Sequence, residues 1–320
     1  MDVSIVILTR NQPELLPRCL EACFSEIEGG GLQGEVILID NASADGAPQR
    51  MAARFPGLRV IRNEENLSFS AGNNQGIRAS SGRAVLMLND DAMLQPGSLG
   101  LMLRALDSDP SVGVAGPRLL NPDGSLQRGY THRRFPRFRS LACGVLGVNP
   151  WLEKRSWTRD LLTHSFDPER GGASEHLAGA CLLVRRSALD SAGLLDEGYW
   201  FWMEDVDLCY RLKRQGWKAV YVPGAQVTHY GSASLRKLLS SERRMLSIRA
   251  LMYYYKQHKS FAAYVFLKLI VGCVLLVCAP LDVISAMRRR GSRPREWALA
   301  AKSSLRNLRA HFGVEPDSSR

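Results

Sequence analysis

Short apolar runs alternate with amphipathic stretches through the first third of the chain. Residues 3–8 read as a buried strand, and a helical pattern over 13–24 runs out near the glycines at 29–31. Further apolar runs at 35–39, 58–61, 84–88 and 112–115 are separated by helical patterns at 47–55, 71–79 and 97–106. That rhythm predicts an α/β fold, a mostly parallel sheet with helices on both faces. Ligands of such sheets bind beyond the carboxyl ends of the strands, so the polar residues that follow each strand are the candidates. The turn Asn121-Pro122-Asp123-Gly124 ends the rhythm. Residues 128–175 are irregular and mix arginines with aromatics. Order resumes with a strand at 176–184, a helix at 204–215 and a strand at 218–222. From Leu235 onward the chain reads as helical, basic and then strongly apolar. A body over 1–231 and a helical region over 232–320 are the expected divisions.

Charge sharpens that division. The net charge of the 320 residues is +11, yet residues 1–231 hold 25 Lys/Arg against 26 Asp/Glu. Residues 232–320 hold 17 against 5, so the whole excess lies in the last quarter. A basic tail suits an anionic lipid surface or nucleic acid; the body favours neither. The seven cysteines include no Cys-x-x-Cys pair and are expected to be buried reduced thiols. The N-terminus enters the first strand without a basic leader or a long apolar segment, so no signal peptide is expected and catalysis belongs in the cytosol.

Three clusters carry candidate chemistry. The first strand runs into Thr9-Arg10-Asn11 and the second into Asp40-Asn41-Ala42-Ser43. A carboxylate there either accepts from a uracil or thymine ring N–H or ribose hydroxyls, or caps the next helix. The fourth strand ends in Asn89-Asp90-Asp91, three oxygen-bearing side chains after an apolar run. Buried carboxylates are costly unless they are paired or hold a cation, and Mg²⁺ favours one or two carboxylates plus phosphate oxygens. The third cluster is Glu204-Asp205-Val206-Asp207, preceded by Trp200-Phe201-Trp202. Acids at a helix start complement its dipole, and aromatic walls beside paired carboxylates also describe a sugar site with a general base. His229, in Val227-Thr228-His229-Tyr230, is by itself a structural histidine as readily as a ligand.

Taken together, residues 3–229 resemble family 2 glycosyltransferases with the A-type glycosyltransferase fold, most of all the bacterial rhamnosyltransferase-like members. The matching pieces occur in the family's order: residues 3–9, Ile39–Ser43, the loop from Asn66 to Asn74 with Phe69 and Gly72, Leu88–Asp91, and 204–211 with Gly216-Trp217. The resemblance implies that residues 1–120 bind the nucleotide sugar and 121–231 the acceptor. It assigns Thr9, Arg10, Asp40, Asn41, Asn66, Gly72 and Asn74 to the nucleotide pocket. It matches Asn89-Asp90-Asp91 to an Asp-x-Asp motif for a divalent cation, Mg²⁺ or Mn²⁺, with Asp91 its foremost ligand and Asp90 a competitor. Asp205 matches the general base, with Glu204 beside it, and His229 a further metal ligand or diphosphate contact. Arg10 stands where many members carry Tyr, Ser68 where Gly is common, and Asp90 where Pro is common.

The expected activity is therefore inverting transfer of a sugar, rhamnose on family likeness, from a nucleoside-diphosphate donor to a saccharide or polyprenyl-diphosphate-linked acceptor in cell-envelope polysaccharide synthesis. A nicotinamide dehydrogenase would need Gly-x-Gly-x-x-Gly after the first strand, where Thr9-Arg10-Asn11-Gln12 stands instead. A sugar-phosphate nucleotidyltransferase would want a glycine-rich loop in the same turn. A non-catalytic nucleic-acid or membrane binder on a degenerate scaffold is the competing reading, prompted by Arg128, Arg133, Arg134, Arg137 and Arg139 among Tyr130, Phe135 and Phe138. Those residues, with 200–202, are expected on the acceptor side, and nucleic acid is not an expected partner. Residues 264–286 are mostly apolar but broken by Lys268, Pro280 and Asp282, and Arg288-Arg289-Arg290, Arg293 and Arg295 follow. A span needs about 20 apolar residues, so a re-entrant or surface-lying hairpin on the cytoplasmic face of the inner membrane fits better.

Overall fold

The computed structural model describes residues 1–127, 135–136, 167–231, 240–288, 301–302 and 305–306. Most of the arginine-rich stretch 128–175 therefore lies outside the described residues, as do Arg289, Arg290, Arg293 and Arg295. The chain divides into two compact units, Met1–Phe135 with Phe166–Gly231, and Pro136–Ser165 with Ser232–Arg320.

In the first unit, β1 (Val3–Thr9), β2 (Gly34–Asp40), β3 (Leu58–Arg62) and β4 (Ala84–Asn89) carry the apolar runs. They pair in parallel in the order β3-β2-β1-β4. The crossovers are α1 (Leu16–Gly29), α2 (Ala47–Arg54) and α3 (Phe69–Ala79). Along β1, Val3, Ile5 and Ile7 join a core with Leu16 and Leu20 of α1, while Val6 joins a second core with Ile77 of α3. Both faces are covered, which is why the strands read as unbroken apolar runs rather than as alternation.

Beyond β4 the sheet becomes mixed. β5 (Ala92–Leu94), α4 (Ser98–Ser108), β6 (Val112–Leu120) and β7 (Gly172–Ser174) come next, then β8 (Cys181–Arg185) and α5 (Arg186–Ala192). α6 (Glu204–Arg214) and β9 (Lys218–His229) complete the unit. The sheet order is β3-β2-β1-β4-β8-β6-β9-β5, with β7 against β9. β8 enters antiparallel to both β4 and β6, whereas β6 and β9 are parallel. Of the strand expected at 176–184 only residues 181–184 are extended, within β8; a turn at Gly179 and Ala180 precedes them, and β7 ends earlier, at Ser174. The turn forms because Gly179 N–H donates to the Asp205 carboxylate at 2.8 Å and Cys181 N–H bonds back to Ala178. β9 also runs farther than its apolar pattern, through a bulge opposite Pro117 and Arg118, to His229.

Two glycines let α3 press onto β1. A Cβ at Gly72 would lie 2.4 Å from Leu8 Cδ1, and one at Gly76 would lie 2.3 Å from Val6 Cγ1. They are four residues apart, so both sit on the same helix face. Cys19, Cys23, Cys181 and Cys209 are buried free thiols, and Cys273 is an exposed one.

The second unit contains α7 (Ser240–His258) and α8 (Phe261–Arg288), which pack on each other. Leu267, Val271 and Leu275 form a buried stripe on α8, while Phe261, Phe266, Leu269, Leu276 and Val277 are exposed. Among the described residues no helix is long and apolar enough to cross a membrane.

The glycine contacts set a test of packing. Gly76→Ala pushes a methyl into a β-branched side chain with little room to turn, and should cost about 1–3 kcal/mol of stability. Gly29→Ala meets nothing within 4 Å and should be neutral or slightly stabilising. Urea unfolding of the two variants compares them directly; equal midpoints would contradict the packing account.

Candidate functional site

The carboxyl ends of β1, β2 and β4 stand level, because Thr9 is in register with Asp40, and Leu8 with Asn89. The chain winds from β1 outward to β2 on one side and to β4 on the other, so this edge is the switch point of the sheet. The loops leaving β1 and β2 are stitched together: Asn11 N–H donates to Ser43 Oγ, and Ala44 N–H to Asn11 Oδ1. Asn11 and Ala42 adopt left-handed backbone conformations to make that join, and Arg10 is exposed beside them.

Asp40 is fully buried at this edge. Its Oδ1 accepts the Ser43 N–H at 2.8 Å, while Oδ2 makes no hydrogen bond and lies 3.7 Å from Arg62 Nε. A carboxylate oxygen left open in this way suits a donor on a ligand. Asn41 is used differently. Its Nδ2 donates to Asn66 Oδ1 and the Leu67 carbonyl, and its Oδ1 accepts from Asn63 Nδ2 and Leu67 N–H. The amide is saturated and shapes the loop 63–67 ahead of α3.

Two more residues expected in the nucleotide pocket have internal duties. Gly72 faces Leu8 in the core. Asn74 is buried, accepting the Leu195 N–H and donating to the Leu195 carbonyl and Glu197 Oε1. Ser70 Oγ donates to the Tyr199 carbonyl, and Phe69 N–H to the Trp200 carbonyl. The start of α3 thus holds the segment 195–200 that leads into α6. In that segment Phe201 stands edge-on to Phe69 and Trp202, and Trp200 is 45% exposed. Trp202 and Met203 both have positive φ, a sharp turn immediately before Glu204.

The two aspartates after β4 go separate ways. Asp90 Oδ2 accepts the Thr9 hydroxyl at 2.7 Å and also takes the Arg10 N–H. Burial, with the neighbouring Asp91 charge, pushes its carboxyl up to about 7 despite those bonds. Asp91, almost fully buried, places Oδ1 3.2 Å from His229 Nε2. Pairing of β5 with β9 makes this contact, since Ala92 is opposite His229 and Tyr230 N–H bonds to the Asp91 carbonyl. Asn89 Nδ2 lies 3.4 Å from the same ring nitrogen, and His229 Nδ1 lies 2.8 Å from Gln127 Oε1. A carboxylate oxygen and an imidazole nitrogen converging in a polar, buried place can hold a divalent cation. No group of three or more His, Cys, Asp or Glu able to hold a metal occurs among the described residues, so substrate phosphate oxygens and water would have to complete the shell.

The Glu204–Asp205 pair reaches the same edge through one turn. Asn89 N–H bonds to the Ala180 carbonyl, and Gly179 N–H bonds to Asp205 Oδ2. Asp205 Oδ1 accepts the Val206 N–H at 2.7 Å. Both oxygens of Asp205 are therefore held by amide donors. Glu204 is buried, its Oε2 has no hydrogen bond, and burial with the Asp205 charge pushes its carboxyl up to about 8. Asp207, the third acid of the cluster, is a strut: it bonds Arg211 Nε at 2.7 Å, one helical turn on. Gln127 and Gly179 were not singled out from sequence. The small-residue run Ala178-Gly179-Ala180 ahead of an apolar strand was the available signal for one of them.

The model of the family described as glycosyl transferase family 2 matches residues 4–193, more than half of the chain. The N-acetylglucosaminyl-diphospho-decaprenol L-rhamnosyltransferase of Mycobacterium tuberculosis is 35% identical over 214 residues, covering 62% of this chain and 67% of that protein. Rhamnosyltransferase WbbL of Escherichia coli is 24% identical over 251 residues, covering 76% and 88%. The solved structure of mannosyltransferase PcManGT from Pyrobaculum calidifontis, in complex with GDP-Man and Mn2+, superposes with a TM-score of 0.55 at 17% identity, covering 98% and 82%.

The raised carboxyl of Glu204 sets a pH test. Its folded value is about 8 against 4.5 for the free side chain, so across that window the native state keeps a proton that the unfolded state has released. Its contribution to stability therefore declines as pH rises from about 4.5 through 8. Glu204→Gln removes the penalty, and its thermal midpoint should gain on the wild type by a few degrees between pH 5 and pH 8.5. A gap that stays constant with pH would show that Glu204 ionises normally.

Proposed function

The chain belongs to glycosyl transferase family 2, and from that membership we propose that it transfers L-rhamnose from a nucleoside-diphosphate donor to a hydroxyl of a polyprenyl-diphosphate-linked saccharide. The enzyme is a glycosyltransferase with the A-type fold. The relatives named as rhamnosyltransferases, one of them acting on a decaprenol-linked substrate, support the choice of sugar and acceptor. The observation that carries the mechanism is the meeting of the open Asp40 oxygen, the Asp91–His229 pair and the Glu204–Asp205 pair at one sheet edge.

Asp40 receives the base or ribose of the donor through its open oxygen. Asp91 and His229 hold a divalent cation, Mg²⁺ or Mn²⁺, which when bound supplies Lewis acidity to the departing diphosphate. Asp205 takes the proton from the acceptor hydroxyl. That oxygen attacks the anomeric carbon from the face opposite the diphosphate, the new C–O bond forming as the bond to the leaving phosphate oxygen breaks. One displacement inverts the anomeric carbon and requires no protein nucleophile. Glu204, protonated at neutral pH, adds no second charge beside the base. The aromatic turn 200–202 forms the wall against which the acceptor sugar rests.

The second unit brings the enzyme to its lipid-linked acceptor. The exposed apolar side chains of α8, with the basic sequence that follows, suit the surface of an anionic membrane on the cytoplasmic side. The enzyme is then peripheral, and no crossing of the bilayer is needed.

Asp205→Asn should lower kcat by roughly two to four orders of magnitude and leave donor affinity nearly intact. Asp91→Ala should instead weaken donor binding together with turnover. Release of nucleoside diphosphate from a panel of nucleotide sugars, with Mn²⁺ or with EDTA, reads both. Near-normal kcat in Asp205→Asn would move the base elsewhere, and full activity in EDTA would remove the cation. For the membrane, the intact protein should float with vesicles containing anionic lipid, and a chain ending at Ser234 should not. Intact protein left at the bottom of the gradient at low salt would sink the surface-binding claim.

A further inference from the structure

We propose that Gln127 is a positioning residue that fixes the tautomer and aim of His229, and thereby sets the affinity of the cation site. The inference rests on the reading of Asp91 and His229 as cation ligands, and deepens it. Gln127 follows the turn at 121–124 and is anchored through its own backbone, its N–H bonding to the Leu119 carbonyl at 2.9 Å. Its side-chain Nε2 donates to Asn121 Oδ1 at 3.1 Å and to the His229 carbonyl at 3.2 Å. Two acceptors on that side leave Oε1 as the atom that meets the ring, 2.8 Å from His229 Nδ1. An amide oxygen can only accept, so Nδ1 must carry the hydrogen.

The consequence falls on the other ring nitrogen. In the neutral ring Nε2 then has a lone pair, and it faces Asp91 Oδ1 at 3.2 Å. Two acceptors at that distance repel unless a cation, or a proton on Nε2, lies between them. Asn89 Nδ2, 3.4 Å from Nε2, is a donor toward the same lone pair and agrees with this tautomer. Histidines that bind metals typically give their second N–H to such a partner, and loss of the partner costs about 10–100-fold in metal affinity. Gln127 is uncharged, so it orients the ring without adding another carboxylate to a site that already holds Asp90 and Asp91.

Mn²⁺ binding to the full-length enzyme, followed by electron paramagnetic resonance with and without inorganic pyrophosphate, tests the assignment without turnover. Gln127→Leu should bind Mn²⁺ about 10–100-fold more weakly than wild type. Gln127→Glu keeps an acceptor at Nδ1 and should retain most of the affinity. His229→Ala serves as the reference for losing the ligand. If His229→Ala weakens Mn²⁺ binding and Gln127→Leu does not, the positioning role is wrong while the cation site stands. If neither variant changes Mn²⁺ binding, the cation reading fails and this inference with it. Should Gln127→Leu fold poorly, long-range ¹H–¹⁵N spectra of wild type at pH 8 decide the matter. A protonated Nδ1 and a bare Nε2 are expected at His229, and a dominant Nε2–H form would overturn the proposal.

Discussion

Ionisable oxygens withdrawn from water at one edge of a sheet are the constraint on which the rest of the molecule depends. Asp40, Asp91, Glu204, Asp207 and His229 are all buried in the first unit. A buried charge is tolerated only with a partner, a cation or a proton. The chain meets this constraint in different ways. Asp207 takes Arg211, Glu204 keeps a proton, and Asp91 faces a histidine. Asp40 keeps one oxygen bonded and one open. Asp40 Oδ2 and Glu204 Oε2 make no hydrogen bond, whereas Asp207 is tied to Arg211 and is architectural.

The antiparallel entry of β8 is what brings two distant sequence clusters to one edge of the sheet. β8 lies between β4 and β6, and the turn that precedes it bonds on one side to Asn89 and on the other to Asp205. A purely parallel continuation of the first four strands would supply no such turn at the end of β4. A Cβ at Gly179 would lie 3.2 Å from Asp205 Cβ, a tight contact to which the aspartate would have to yield.

Carboxamides do the fastening around the site. Asn41 shapes the loop ahead of α3, Asn74 holds the segment before Glu204, and Gln127 meets the ring of His229. Each both donates and accepts, so it can satisfy several backbone groups at once. None adds charge to an edge already crowded with acids. Asn41 follows β2 and Asn74 lies within α3, and both side chains are spent on internal hydrogen bonds.

The sequence determined the class of the fold and put forward the candidate reactive groups. Unbroken apolar runs require strands covered on both faces, and acids placed directly after such runs must lie at the strand ends, where a ligand can use them. It could also separate the basic tail from a neutral body, since charge counts need no coordinates. Partnership was left to the tertiary structure. Which of Asp90 and Asp91 turns to Thr9 and which to His229, why Asn74 faces Leu195, and how Gln127 meets a residue 102 positions away are all set by pairings between distant strands and loops. The strand expected at 176–184 failed for the same reason: its residues favour extension, but a hydrogen bond to a carboxylate 26 residues further on bends the chain at Gly179. Local pattern records what a segment can bury, and only the folded chain decides what it meets.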